Sequence, residues 1–190
     1  MLHYVYSNWN QKLYVDYLNK FNVPVNKKIK KFSRGMKMKL EFAIAFSHDS
    51  KLLILDEATS GLDPIIRDEI LSIIRTYTED EDHTVLISSH ITSDLDKISD
   101  YIAYIHQGKL LFMKSYDELR EEYGIIHVGK DLFESLSTDD IVGYTNDAYS
   151  YKVLIRNRPT LQKVFNDLEI LRPTVEEIML FYAKGSSCVC

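Results

Sequence analysis

Apolar residues along the chain switch between helical and strand-like spacing, and each switch marks an element. Leu13, Tyr14, Tyr17, Leu18 and Phe21 recur at helical intervals across residues 10–20, with Asn8 or Asn10 placed to cap them. Pro24 interrupts the pattern. Ser33 can cap a second helix running to about Ser47, with Leu40, Ala43, Ile44 and Phe46 as its buried side. Residues 51–56 read Lys-Leu-Leu-Ile-Leu-Asp, a continuous apolar run closed by an acid. Such a run predicts a strand buried on both faces, the habit of parallel sheets. Pro64 opens the next helix, whose apolar positions are Ile65, Ile66, Ile70, Leu71, Ile73 and Ile74. Residues 85–88 form a second buried strand and 91–98 a short helix. Residues 101–106 and 110–113 read as a hairpin turning at Gln107-Gly108-Lys109.

This alternation predicts an α/β fold with a parallel sheet and flanking helices. After Lys114 the pattern changes. A charged helix over 117–123 precedes short β-like runs at 125–128, 141–144 and 151–155, with helical stretches at 161–168 and 175–183. The expected organisation is a core at 1–114, an appended α+β module at 115–184, and a disordered tail at 185–190.

Composition narrows the function classes. The 190 residues suffice for one core, or one core with a small appendage. Hydrophobic residues at 45%, with 13 Tyr and 8 Phe, exclude a disordered chain. A net charge of −5 argues against a global nucleic-acid binder. No apolar run is long enough to cross a bilayer, and Met1-Leu2-His3-Tyr4 does not open a secretory signal. The expected location is cytoplasmic, with any membrane work done through a partner. Cys188 and Cys190 are too few and too close for a disulfide framework and read as part of a frayed tail.

A phosphate-cradling loop requires Gly, four residues, Gly, Lys and then Ser or Thr. The nearest approach is Gly124-Ile-Ile-His-Val-Gly129-Lys130-Asp131. It ends in a carboxylate that would repel phosphate, and its inner residues suit a strand. The residues that do carry chemistry lie earlier. Asp56 sits at the carboxyl end of a strand, where α/β proteins bind ligands, and can hold Mg²⁺ through water. Glu57 can orient or deprotonate an attacking water. His90, 33 residues beyond Glu57 and just past the next strand, can donate to a phosphate oxygen. Ser33, Arg34, Gly35 and Met36 open a helix, a natural anion site, inside the cationic stretch Lys27, Lys28, Lys30, Lys31, Arg34, Lys37 and Lys39.

The ordered set Phe32-Ser33-Arg34-Gly35-Met36, Leu52 to Asp56 with Glu57, Ser60-Gly61-Leu62-Asp63 and His90 resembles the ABC-type ATPases over about residues 5–114. The stretch from Tyr6 to Asn10 and the run from Pro173 to Tyr182 are similar to a bacterial exporter branch that includes bacitracin-type exporters. The resemblance implies a partial P-loop NTPase-like sheet, with ATP and Mg²⁺ as cofactors. Asp56 would help hold Mg²⁺, and Glu57 would activate the hydrolytic water. His90 would contact the γ-phosphate. Asp63 would link two active sites across a dimer, and Ser33 and Gly35 would contact ATP bound by the opposite subunit. Arg34 and Met36 depart from the commonest signature, so a modified site is expected. The partners implied are a membrane permease and a second ATPase subunit in a head-to-tail dimer, at the inner face of the cell membrane.

In this family the phosphate loop precedes the signature, so Met1 is expected to fall after it. An apolar edge or face exposed by its loss implies poor stability and no ATPase cycle for residues 1–190 alone. Two other readings stay open. One is a non-catalytic fragment that only binds partners. The other is a non-transport ABC ATPase, against which the run Thr59 to Pro64 and the absence of long heptad segments speak.

Overall fold

The structure is a computed structural model that describes residues 4–48, 50–146, 149–165 and 168–185. It divides into two compact units, Met1–Ile98 and Ser99–Cys190. The division falls ahead of the hairpin, whereas the sequence pattern placed a boundary behind it. Cys188, Cys190 and nearly all of the expected tail lie outside the described residues.

The first unit holds α1 (Gln11–Lys20), α2 (Arg34–Ala45), β1 (Leu52–Asp56), α3 (Pro64–Thr78), β2 (Thr84–Ser88) and α4 (Thr92–Ile98). Asn10 caps α1 by accepting from the Leu13 amide, and Ser33 caps α2 by accepting from the Met36 amide. Asp63 caps α3, where Pro64 supplies the first residue. β1 and β2 pair in parallel, in a register that sets Asp56 beside Ser88.

Two expectations need correction. The buried residues of α2 are Gly35, Lys39, Phe42 and Ala43, followed by Phe46 just beyond the helix; Leu40 and Ile44 are half-buried. That stripe is the one facing α3 and β1, where Phe42 and Phe46 join Leu53, Ile70, Ile74 and Tyr77 in one core. Phe46 and Tyr77 stack at 4.6 Å. Lys39 threads its stem into this core and reaches Glu69 Oε2 at 2.6 Å.

The strands are also not buried on both faces. Leu53, Leu55, Val85 and Ile87 pack on the helices, while Ile54 and Leu86 stand 71% and 62% exposed. Side chains alternate across a strand, and the core of this unit covers one face of the pair. A continuous apolar run therefore overstated the burial.

The second unit begins with a hairpin of β3 (Tyr101–His106) and β4 (Lys109–Ser115). Its turn residues Gln107 and Gly108 take φ of 48° and 74°, the left-handed pair of a tight two-residue turn. Next come α5 (Tyr116–Glu121), β5 (Gly124–Val128), α6 (Lys130–Ser135), β6 (Ile141–Asn146), β7 (Tyr151–Ile155), α7 (Arg158–Val164) and α8 (Val175–Lys184). The three strands form an antiparallel sheet in the order β5-β7-β6. Ile126, Val128, Ile141, Val153 and Ile155 centre its core. The Gly-x4-Gly-Lys stretch is thus strand β5 with Gly129 capping α6, and not an anion loop. Helix α6 was not foreseen, because its six residues show too little apolar period to read.

Thr174 and Glu177 form a reciprocal cap at the start of α8, and Glu177 also accepts from Lys152 Nζ at 3.0 Å. Burial pushes the Glu177 carboxyl up. The Thr174 amide and Lys152 outweigh that and hold it below its ordinary range. A depressed carboxyl stabilises the fold above its unfolded pKa, and the gain is lost as pH falls through the folded value. Thr174→Ala should cost about 1 kcal/mol. Hydrogen exchange of the α8 amides should show faster local opening in this variant. In the wild type the same opening should rise as the solution is acidified below about pH 4.

Candidate functional site

The end of β1 gathers the chemistry. Asp56 is the last residue of the strand, and its register partner Ser88 ends β2. Ser88 Oγ donates to Asp56 Oδ1 at 2.5 Å and accepts from the Glu57 amide at 3.2 Å. The Glu57 amide also lies 3.1 Å from the Ser88 carbonyl oxygen. Glu57 itself has φ of 50°. A left-handed conformation costs a residue with a Cβ roughly 1–2 kcal/mol, and it turns this carboxylate away from the strand direction. Ser88 holds the backbone in that turn.

His90 completes the cluster. Its Nδ1 lies 2.6 Å from Glu57 Oε2, at ion-pair distance but without in-line hydrogen-bond geometry. An imidazolium carries an N–H on each nitrogen, so one can face Glu57 while the other faces a ligand. The structure therefore brings Asp56, Glu57 and His90 together, with Ser88 between the strands as their brace. Sequence reasoning did not assign Ser88 a role. The available signal was its place as the last residue of the neighbouring parallel strand. Ser88→Ala should keep the fold but loosen the Asp56–Glu57 turn, lowering any turnover that depends on them by about tenfold. Steady-state kinetics at saturating substrate check this.

A divalent cation fits this edge in a limited way. Asp56 is exposed, and Ser88 occupies one of its carboxylate oxygens. Among the described residues no group of three or more His, Cys, Asp or Glu converges as a full set of metal ligands. One carboxylate with waters suits Mg²⁺, which gives up its shell reluctantly.

The second group opens α2. Ser33 is exposed, and its hydroxyl caps the helix at the Met36 amide. Gly35 is buried. A Cβ there would stand 2.7 Å from Ile66 Cγ2, so glycine is needed for α2 to press against α3. Arg34 lays its guanidinium over Gly61, where a Cβ would meet Nη1 at 3.3 Å. Gly61 has φ of 69°. Met36 Sδ takes Lys27 Nζ at 3.8 Å. Asp63 is exposed, with Oδ1 engaged by the amides of Ile65 and Ile66. Thus Arg34 meets the turn at Gly61 and Gly35 meets Ile66 of α3, next to the Ser33 cap.

Residues 6–60 match the family described as ABC transporter. Three relatives illustrate the likeness. The lantibiotic transport ATP-binding protein SrtF of Streptococcus pyogenes is 46% identical over 47% of this chain and 38% of its own length. The bacitracin transport ATP-binding protein BcrA of Bacillus licheniformis is 43% identical over 50% of this chain and 31% of its own. The ABC transporter ATP-binding protein YtrB of Bacillus subtilis is 27% identical over 92% of this chain and 60% of its own. The chain thus spans less than two thirds of the length of each of these relatives. Among solved structures, an inward-facing metal-chelate type ABC transporter superposes with a TM-score of 0.51 at 18% identity, covering 79% of this chain and 58% of that one. At that identity the likeness concerns the fold.

Proposed function

We propose that this chain, whose residues 6–60 match the ABC transporter family, supplies the hydrolytic edge and the signature half-site of an exporter-type transporter ATPase. The observation that carries this reading is the brace of Ser88 on Asp56 and Glu57 with His90 against Glu57. Asp56 is the residue that would hold Mg²⁺, with water completing the ion's shell. When bound, the ion would supply charge neutralisation at the ATP phosphates. Glu57 accepts a proton from the attacking water, and its fixed backbone keeps the carboxylate aimed. His90 donates to the γ-phosphate from the nitrogen not facing Glu57.

Ser33, Arg34, Gly35 and Met36 serve the ATP of an opposite subunit. The α2 N-terminus offers amide donors, and Arg34 adds a cation beside them. Asp63 links the two sites of a head-to-tail dimer. A membrane permease couples the cycle to transport, which places the protein at the inner face of the membrane. Among the described residues no helix is long and apolar enough to cross it. No Gly-x4-Gly-Lys-Ser/Thr loop occurs in residues 1–190, so the phosphate cradle is supplied by other polypeptide, in cis or in trans. These 190 residues alone do not complete a cycle.

The experiment is ATP turnover by the assembled ATPase carrying Glu57→Gln in this chain. Collapse of turnover supports the reading. Near-normal turnover removes Glu57 from the chemistry and favours a partner-binding fragment.

A further inference from the structure

We propose that the loop Val25–Lys31 is a docking surface for the anionic lipid headgroups of a membrane. Between Asp16 and Glu41 the sequence has no acid but eight Lys or Arg, in a chain whose net charge is −5. The positive charge is therefore local. Four of the lysines, Lys27, Lys28, Lys30 and Lys31, lie within the loop.

The structure presents them outward. Every residue from 25 to 31 is exposed, and the loop ends in a single 3-10 turn, Ile29–Lys31, ahead of the α2 cap. Among the described residues, Lys28, Lys30 and Lys31 make no ion pair, and Lys27 reaches the Met36 thioether. Lys39 contrasts with them, because it is buried and its charge is met by Glu69. The loop cations thus keep their full field for something outside the unit.

Two apolar residues sit among them. Val25 is 73% exposed and Ile29 is 61% exposed, while Phe21 and Val23 just upstream are buried. Lysines around outward aliphatic side chains match a membrane interface. Ammonium groups meet phosphates, and short aliphatic groups enter the acyl boundary. The choice of cation points the same way. The loop uses lysine alone, a flexible point charge suited to a diffuse anionic surface. Recognition of one fixed carboxylate pattern favours the planar fork of arginine. The inference uses none of the residues Asp56, Glu57 and His90, and only Lys27 of the loop touches the signature half-site, at Met36.

Sedimentation of the full chain with vesicles tests it. Vesicles of phosphatidylcholine are compared with vesicles in which about a third of the lipid is phosphatidylglycerol. Association with the anionic vesicles alone is expected, falling at least about tenfold on going from low salt to about 0.5 M salt. The combined variant Lys27→Gln, Lys28→Gln, Lys30→Gln, Lys31→Gln should weaken it by at least about tenfold. Val25→Ser with Ile29→Ser should remove the association that survives at high salt. A control carrying Lys12→Gln, Lys109→Gln, Lys130→Gln and Lys163→Gln should bind nearly as wild type. Unchanged Trp9 emission certifies the first unit of each variant, and an unchanged circular dichroism spectrum certifies the whole chain. Equal binding to neutral vesicles, equal loss in the control, or no binding by folded protein at low salt overturns the proposal. The last result would assign the loop to an acidic protein surface instead.

Discussion

Glu57→Gln is expected to lower ATP turnover of the assembled enzyme by about 10²–10⁴-fold, the range for losing a positioned general base. The substitution keeps size and shape, so packing offers no reason for the loss. The main-chain hold is also preserved, because Ser88 grips the Glu57 amide and not its side chain. What disappears is the ability to take a proton from water. The amide can still sit against His90, now without charge. Affinity for ATP should therefore change little, and the loss should fall on kcat. Trapping of bound, unhydrolysed ATP would accompany it. Steady-state kinetics with parallel nucleotide-binding measurements separate the two effects. A loss confined to KM would reassign Glu57 to binding.

Phe42→Ala is expected to destabilise the first unit by about 3–5 kcal/mol, the range for truncating a buried aromatic. Phe42 is 2% exposed and lies at the contact of α2 with the core around Leu53, Ile70 and Ile74. Its ring packs at 5.6 Å from Phe46, which itself stacks on Tyr77. Removing it opens a void beneath the helix that presents Ser33 to Met36, and bulky aromatic neighbours cannot collapse to fill it. Domain stabilities run to about 5–15 kcal/mol, so the loss takes a large share. Trp9 is the single tryptophan of the chain and packs against Tyr14 at 5.0 Å, so its fluorescence reports on this unit. Urea titration should show an earlier midpoint. An unmoved midpoint would mean that the α2 contact with the core is not what holds the unit together.

The residues proposed for hydrolysis stand out as candidates because each sits at a position that local pattern marks. Asp56 closes an apolar strand, Glu57 follows it, and His90 follows the next strand. Two caps were equally plain, since Asn10 and Ser33 each precede a helical run and each accepts an amide hydrogen bond. The role of Gly35 was not legible in full. A glycine at a helix start suggests room for phosphate, while the structure uses it to seat α2 on Ile66.

The sequence by itself determined the order of elements apart from α6, the acid at the strand end and the starts of α1 and α2. These depend on residues within a few positions of one another, where period and capping chemistry act. Only the tertiary structure decided which face of β1 is covered, which stripe of α2 is buried, and that Ser88 braces Asp56 and Glu57 from 32 and 31 residues away. Those outcomes depend on which elements meet. A strand of apolar residues looks the same from both sides until helices settle on one of them. A serine at a strand end becomes part of a site only when parallel register sets it beside an aspartate.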